Sequence, residues 1–518
     1  MKDEKPEENR TITKRSPVTG EVLGEFAVCS ERQVRQVVAK ARAAFRPWAD
    51  AGLKHRLAAM DRVKNVILQN AEQYARRISD DTGKPLFDSL ITELVSVPLF
   101  LDHYRKKARK ILAPRKIPTP IVFQHKKSYL EFFPMGVIGI ISPWNFPFQL
   151  SVIPMISALI GGNTVVLKPS EITPITGEII REMFSEARMP EGVVEVVQGD
   201  GSTGSALVNS DVDKIFFTGS VATGRKVMEA AASRPIPVEL ELGGKDAMII
   251  CSDANLERAA KAAVWGGLLN AGQMCISVER IFAVEQIHDH FVELLQSEVQ
   301  RLKLGGPQED ADMGPITFSR QMDTIIRHIN DAKSSGAKII TGGHQADRPG
   351  TFFAPTILAD VTVDMEIYRE ETFGPVLPVI KVKDEDEAIR LANDHKYGLN
   401  ASVWSADLKR GRRLASRLEC GQVMVNDVVS SVSNPALPFG GIKNSGIGRY
   451  HGPDGLLAFM HSKAIMVDPG KVKHEPFWFP YAGKYDDALQ AFRALVQGRL
   501  LGVIGPLKRM NKINRHHG

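Results

Sequence analysis

Between Phe133 and Cys251, short aliphatic and β-branched runs alternate with helix-like stretches, and this alternation limits the fold more than any other feature of the chain. A strand, a helix and a further strand make a βαβ unit, and a series of such units makes a parallel sheet with helices on both faces. The expected strands are Val137–Ser142, Thr164–Leu167, Val193–Gln198, Lys214–Thr218, Val238–Leu242 and Ala247–Cys251. Helices are expected at Gln149–Ile160, Thr173–Ala187 and Thr203–Asn209. The economical inference is an α/β, doubly wound, Rossmann-like domain.

Residues 255–440 continue in the same style, with helices near Asn255–Asn270, His288–Arg301 and Arg320–Ser335 and strands near Lys338–Thr341 and Val376–Val382. A second α/β domain is therefore expected, in keeping with a length of 518 residues, too great for one core. Ser30–Arg46 and Gly52–Asp81 read as long amphipathic helices that cover the first sheet. Residues 123–133 and 464–467 read as two strands outside either sheet, suited to pairing with another subunit.

Composition and charge exclude several classes. With 43% apolar and 24% charged residues the chain is neither disordered nor fibrous. Its first ten residues carry seven charges and no apolar signal core, so a cytoplasmic location is expected. Leu150 to Leu167 has the length of a membrane span, but Pro154 and Gly161-Gly162-Asn163 divide it into a helix and a strand. Cys29, Cys251, Cys275 and Cys420 share no short spacing, so neither a disulfide framework nor a metal site is signalled, and Cys29 and Cys251 read as small buried hydrophobes. From Pro469 on there are nine Lys/Arg against three acids, a difference of six that equals the whole net charge of +6. The main body is thus neutral, and no nucleic-acid partner is expected.

Six short stretches carry chemistry. Gly199-Asp-Gly201-Ser-Thr-Gly204 is a literal G-x-G-x-x-G, but the next strand ends in Phe217-Thr218 without an acid for a ribose, so it reads as a tight turn before a pyrophosphate site. Gly219 and Ser220 open a helix whose N–H groups suit a phosphate, although Ser220 serves equally as an ordinary N-cap. Arg225 follows that loop in place of a lysine and hydroxyl, so it is no Walker loop. Lys168-Pro-Ser170-Glu171 ends a strand with a cation, a hydroxyl and an acid, which can grip a ribose diol while Glu171 repels a 2′-phosphate. Glu239 and Glu241 fall on one face of a strand, where a carboxylate at a domain junction is a usable general base and otherwise simply faces water. Asn145, between Pro143 and Pro147, is either a rigid donor to an oxyanion or part of a turn. Cys275 follows Ala271-Gly272-Gln273-Met274, which reads as a flexible loop holding a partly ionised, reactive thiol. None of the thirteen histidines sits in a motif that pairs it with Cys275, so Glu241 is the candidate base.

Taken in order, PWNFP at 143–147, LKPSE at 167–171, FTGS at 217–220, ELGGK at 241–245, GQMC at 272–275, EETFGP at 370–375 and PFGG at 438–441 resemble the aldehyde dehydrogenase superfamily over about residues 10–468. The resemblance implies an aldehyde dehydrogenase-like fold with a discontinuous NAD(P)-binding domain (1–122 and 134–244) and a catalytic domain (245–441). It also implies an oligomerisation element (123–133 and 455–468), beyond which lies a basic C-terminal extension (469–518). Cys275 would be the nucleophile, Glu241 the general base, and Asn145 the oxyanion donor together with the Cys275 backbone N–H. Lys168, Ser170 and Glu171 would hold the adenosine ribose, Thr218, Gly219 and Ser220 would lie by the pyrophosphate, and Glu371 with Phe373 would order the nicotinamide ribose. Ile141, Ser142, Pro143, Trp144, Leu242 and Gly243 would complete the cofactor site. The implied cofactor is NAD, with NADP as the alternative; the implied assembly is a homodimer or homotetramer, and no metal is implied.

Phe146, Phe148, Leu150, Val152 and Ile153 after Asn145 offer no charged clamp, and Tyr450-His451-Gly452 resembles the branch acting on medium- and long-chain or aromatic aldehydes. An apolar aldehyde is therefore the expected substrate, with a short acidic semialdehyde as the alternative. A CoA-acylating enzyme is disfavoured by Glu241, and a non-enzymatic binding protein by the intact Cys275, Glu241 and Asn145. In the extension, Phe477-Trp-Phe-Pro-Tyr481 is followed from Asp486 by a helical pattern that gathers Leu489, Phe492, Leu495, Val496, Leu500 and Val503 on one side. That pattern suits peripheral contact with an anionic membrane, or packing against the body or a partner subunit.

Overall fold

The structure is a computed structural model that describes residues 10–471 and 473–516. Two compact units emerge, one built from residues up to Ile111 with Pro134–Met460, the other from Leu112–Phe133 with residues from His461 on. Both large sheets lie in the first unit.

The first sheet has six strands in the order Gly446–Ile447, Val238–Glu241, Lys214–Thr218, Val137–Ile141, Thr164–Lys168 and Val194–Val196. All pairings are parallel except that of the Gly446–Ile447 edge. Val137–Ile141 and Thr164–Lys168 are buried at every position, as expected of parallel strands covered on both faces. The chain leaves Val137–Ile141 toward Thr164–Lys168 on one side and later returns to Lys214–Thr218 on the other. The strand order therefore reverses at the carboxyl end of Val137–Ile141, the place where open α/β sheets hold ligands. Every motif loop read from this half of the sequence leaves that same edge: Ser142–Pro147, Lys168–Glu171, Thr218–Ser220 and Glu241–Gly243.

The expected helices appear as Gln149–Gly161, Pro174–Glu186 and Gly201–Val208. Gly162, at φ 99°, ends the first of them and lets the chain turn directly into Thr164–Lys168, which accounts for the long apolar run. Among the described residues no helix is long and apolar enough to cross a membrane. The covering helices are three where two were expected: Glu31–Asp50, Gly52–Gln69 and Ala71–Thr82. Asn70 causes the extra break, leaving helical φ/ψ while its amide donates to the Val66 carbonyl. Trp48 Nε1 and Arg56 Nε donate to Leu159 and Ile160 at the end of Gln149–Gly161, fastening these helices to the sheet (3.1 and 2.9 Å).

The second sheet has seven strands in the order Lys338–Thr341, Thr356–Ala359, Val376–Val382, Val278–Val284, Asp246–Ile250, Asn400–Trp404 and Gln422–Val425. Four of these, Thr356–Ala359, Val278–Val284, Asn400–Trp404 and Gln422–Val425, were not anticipated from the sequence. The second unit holds a three-stranded sheet in the order Met460–Val467, Lys127–Pro134 and Arg115–Ile117. The two strands expected to seek another subunit thus lie in one sheet of the same chain, with Met460–Val467 at its edge. The C-terminal segment is a helical hairpin, Tyr485–Val496 and Leu501–His516, instead of one continuous amphipathic pattern. Gly498, at φ 71°, permits the turn, and Arg509 Nε donates to Asp487 across it (2.7 Å). Val503 consequently faces inward with Ala491, whereas Phe492, Leu495, Val496 and Leu500 stay exposed.

Candidate active site

A cavity of about 260 Å³ brings Cys275 and Glu241 together, with Thr218 beside them. Its walls are mostly apolar and come from distant parts of the chain, Ile91, Phe146, Leu150, Leu269, Val432 and Tyr450 among them, with Gln149, Ser430 and Ser433 as neutral polar groups. No Lys or Arg lines it, and Glu241 is its one charged side chain among the described residues. Phe439 and Tyr450 close one side, held to each other by backbone hydrogen bonds of 2.6 and 2.8 Å. Of the apolar residues read after Asn145, Phe146 and Leu150 face the cavity, whereas Phe148, Val152 and Ile153 are core.

The segment carrying Cys275 is not the flexible loop expected from its small residues. Asn270, Ala271 and Gly272 adopt consecutive left-handed conformations at φ 53°, 56° and 71°. Such a run persists only where its surroundings enforce it. Gln273 Nε2 donates to the Asn270 carbonyl (2.8 Å), and Gln273 Oε1 accepts from the Thr317 N–H (2.8 Å). A Cβ on Gly272 would lie 2.1 Å from the Gly374 carbonyl oxygen, so only glycine fits that contact.

Asn145 belongs to the same network. Its Nδ2 donates to the Gln273 carbonyl (3.1 Å), two residues before Cys275, which leaves one amide hydrogen for another acceptor. Its own carbonyl accepts from Lys84 Nζ (2.8 Å) and Asn270 Nδ2 (3.0 Å). Lys84 is buried and paired with Glu93 (2.8 Å), whose other oxygen accepts the N–H groups of Phe148 and Gln149 at the start of a helix. Lys84 and Glu93 carry no sequence motif, and nothing local distinguishes them from surface charges.

Electrostatics correct the expectation of a partly ionised thiol. Burial pushes the Cys275 thiol well above its ordinary value, and the neighbouring carboxyl groups of Asp246, Glu371 and Glu241 add to the shift. Glu241 is also raised well above the ordinary carboxyl range, first by burial and then by Glu239, with Arg449 opposing. Neither Glu241 oxygen has a hydrogen-bond partner. Burial thus favours the protonated form of both groups. Glu239, read together with Glu241, is a different case: its Oε2 accepts from Lys214 Nζ at 2.6 Å.

The loops assigned to a dinucleotide gather at the carboxyl edge of the first sheet. Lys168 Nζ pairs with Glu171 at 2.8 Å, and Ser170 accepts from the Ile172 N–H through its hydroxyl. Ser220 caps the helix Val221–Ala231 by accepting from the Thr223 N–H (3.2 Å), so the local capping reading holds at that residue. Gly219 N–H donates to Glu241 O (3.0 Å), linking this loop to the catalytic strand. Ser142 Oγ is buried without a partner, next to Ile141, Pro143 and Trp144. Trp144 and Phe373 meet edge to face, with centroids 5.4 Å apart. Glu371 Oε1 accepts from Gly244 N–H (3.0 Å), and burial, then Glu279, pushes its carboxyl up to about 8. A Cβ on Gly243 would lie 2.3 Å from Glu371 Oε2. Leu242 is buried beside it. Glu279, unrecognised in the sequence, orders this loop by accepting the N–H groups of Thr372 (2.8 Å) and Phe373 (3.0 Å) while pairing with Lys245 (2.5 Å).

Gly199–Gly204 behaves as the tight turn it was read to be. Asp200 caps the helix Gly201–Val208 with its own carboxylate, which Arg10 also engages. Hydrogen bonds from the Ser202 hydroxyl and N–H, with the Arg10 charge, hold that carboxyl at about 2. An anion thus already sits on the helix N-terminus that a pyrophosphate would need.

The model of the Aldehyde dehydrogenase family matches residues 4–465. The chain belongs to the aldehyde dehydrogenase family. Among similar members, the 4,4'-diapolycopene aldehyde oxidase of a Methylomonas species is 40% identical over 489 residues, 94% of this chain and 92% of that protein. A Mycolicibacterium smegmatis protein provisionally named as an NADP(+)-type succinate-semialdehyde dehydrogenase is 38% identical over 452 residues, 86% of this chain and 87% of that protein. The crystal structure of Mycobacterium tuberculosis aldehyde dehydrogenase complexed with NAD+ superposes with a TM-score of 0.86 at 34% identity, covering 90% of this chain and 97% of that one.

Proposed function

We propose that this aldehyde dehydrogenase oxidises an apolar aldehyde, medium- or long-chain aliphatic or aromatic, to its carboxylic acid with NAD(P). The observation that carries the reading is the cavity: Cys275 and Glu241 face apolar walls without a Lys or Arg to receive a substrate carboxylate. A semialdehyde with a carboxylate tail would lose its hydration there with no counter-charge, a cost of several kcal/mol. The likeness to the diapolycopene aldehyde oxidase supports an apolar substrate, while the succinate-semialdehyde relative supports the alternative. A panel running from octanal and benzaldehyde to succinic semialdehyde, each with both cofactors, tests it. A higher kcat/KM for the acidic substrate would overturn the apolar assignment.

The residues present fit a dinucleotide. The orphaned Ser142 hydroxyl, the space that a Cβ at Gly243 would fill and the helix start at Ser220 form a cradle, and Lys168 with Glu171 supplies both partners for a ribose diol. Lys168, Ser170 and Glu171 would hold the adenosine ribose, Thr218, Gly219 and Ser220 the phosphates, and Glu371 with Phe373 the second ribose. Because Lys168 is already paired with Glu171, a 2′-phosphate finds no unpaired cation on this loop, which favours NAD. Both sheets then serve both tasks: Asn145 and Glu241 come from the first and Cys275 from the segment before Val278–Val284 of the second, which also supplies Glu371 and Phe373 to the cofactor. When bound, the nicotinamide supplies a two-electron acceptor for hydride.

Cys275 Sγ adds to the aldehyde carbon as its proton passes to ionised Glu241, which must release it before the hydrolytic step. The remaining Asn145 amide hydrogen and the Cys275 backbone N–H stabilise the alkoxide, a donor effect worth about 3–4 kcal/mol in comparable sites. Loss of hydride from this adduct leaves a thioester on Cys275. Glu241 takes a proton from water as its oxygen attacks the thioester carbon, the C–S bond breaks, and the acid departs, leaving Cys275 as the thiolate and the proton on Glu241. Glu241 can serve only after losing its resting proton, so burial sets the pH at which the site becomes competent.

Two readings concern the second unit. The exposed edge strand Met460–Val467 is where we propose that a second copy of the chain adds to the sheet, giving a dimer or tetramer. The C-terminal segment exposes Trp478 and Phe479 before the hairpin and Val496 and Leu501 within it, along with Lys473, Arg493 and Arg499, and is proposed to lie on an anionic lipid surface.

A further inference from the structure

Every turnover leaves a proton on Glu241, yet Glu241 is 4% exposed and neither of its oxygens has a partner to pass that proton to. The substrate cavity it lines is one outlet, and its own strand offers a second. Two residues earlier on the same face of the strand Val238–Glu241 stands Glu239, about 6.6 Å away along the chain. Its Oε1 is buried and without a partner, while its Oε2 holds Lys214 Nζ, which also donates to Ala458 O at 2.6 Å.

Glu239 has a second exposure. With Lys214, Gly448, Arg449 and Asp454 it lines an open cavity of about 330 Å³. Glu241 lines the substrate cavity instead, so the two carboxyl groups of one strand face different cavities. Glycines keep both approaches clear: a Cβ on Gly448 would lie 2.8 Å from Glu239 Oε1, and one on Gly440 would lie 2.9 Å from Glu241 Oε1. The groups bearing on Glu239 are Lys214 and Arg449, which favour its ionised form, Glu241 and Asp454, and the phenols Tyr104 and Tyr450.

We propose that Glu239, positioned by Lys214, relays the proton from Glu241 to the outer cavity, so that proton exit uses a route separate from the substrate's. The inference rests on Glu241 being the base. In balance, water attacking the thioester gives its proton to Glu241, a bridging water carries it to the free Oε1 of Glu239, and Glu239 releases it to solvent; no oxidant or reductant is involved. Glu239 touches neither substrate nor cofactor and is a positioning residue for the proton.

The test uses hydrolysis of 4-nitrophenyl octanoate by the full chain, in which the burst of nitrophenolate reports acylation of Cys275 and the steady rate reports deacylation. Glu239→Gln is expected to keep the burst, slow the steady rate about tenfold and shift the pH profile of that phase, with Glu239→Asp restoring most of it. Unchanged phases, or equal slowing of both as a packing defect would give, overturn the proposal. Glu241→Gln separates the two levels: if its steady rate equals the native one, the base assignment fails, whatever Glu239 does. Should Glu239→Gln not fold, a proton inventory of native deacylation decides, a curved dependence on deuterium fraction supporting the relay and a linear one overturning it.

Discussion

Lys84→Met tests how the Asn145 loop is held. Lys84 is 2% exposed and makes three contacts, to Glu93 Oε1 and the Asn145 carbonyl, both at 2.8 Å, and over the Phe146 ring at 4.4 Å. Removing one partner of a buried pair costs roughly 3–5 kcal/mol because the other charge is left uncompensated. Glu93 keeps two backbone N–H donors at a helix start, so the loss falls at the lower end, about 3 kcal/mol. Glu93→Gln leaves Lys84 with the Asn145 carbonyl and the aromatic face, and about 2 kcal/mol is expected. In Lys84→Met/Glu93→Gln no charge is stranded, so the double variant loses about 2 kcal/mol, a coupling of about 3 kcal/mol between the sites. Urea unfolding of the four proteins at pH 7 measures this directly. Because Asn145 shifts with its carbonyl, kcat should fall about 10²-fold in Lys84→Met. A coupling below about 0.5 kcal/mol would refute the claim that the pair acts as a buried unit.

The pH dependence follows from burial: Cys275 and Glu241 must both lose protons, and both are raised, so kcat/KM should climb through and above neutrality. A plateau already reached at pH 6 would contradict it. Asn145→Ala should lower kcat by about 10²–10³-fold with little change in unfolding midpoint, since the lost interaction belongs to the alkoxide. Gly243→Ala places a methyl 2.3 Å from Glu371 Oε2 and should raise the KM for NAD severalfold while the esterase burst survives. Trp478→Ser/Phe479→Ser/Leu501→Ser should abolish flotation with phosphatidylglycerol vesicles at unchanged aldehyde turnover; equal flotation of native and variant protein, or none by the native, removes the lipid reading.

Parts of this molecule were plain in its sequence. The strands Val137–Ile141 and Thr164–Lys168 are legible because a parallel strand buried on both faces is apolar along its middle, as in Val165–Leu167. Asn70 was passed over because its neighbours keep a helical period on either side, and the break becomes visible only through its capping contact with Val66. Strands such as Asn400–Trp404 lack flanking βαβ signals of comparable strength, and their burial comes from neighbours such as Asp246–Ile250. Lys84 and Glu279 were illegible for the same reason: each fixes its loop from 61 and 94 positions away along the chain.

The order of strands, and the fact that the chemistry-bearing motifs directly follow them, are properties of the chain itself, because hydrophobic period and turn residues act over a few neighbours. The left-handed, hydrogen-bonded course of the Cys275 segment and the upward shift of its thiol belong to the tertiary structure alone. They depend on which distant groups exclude water from the site and which charges stand beside it, and no local pattern encodes either.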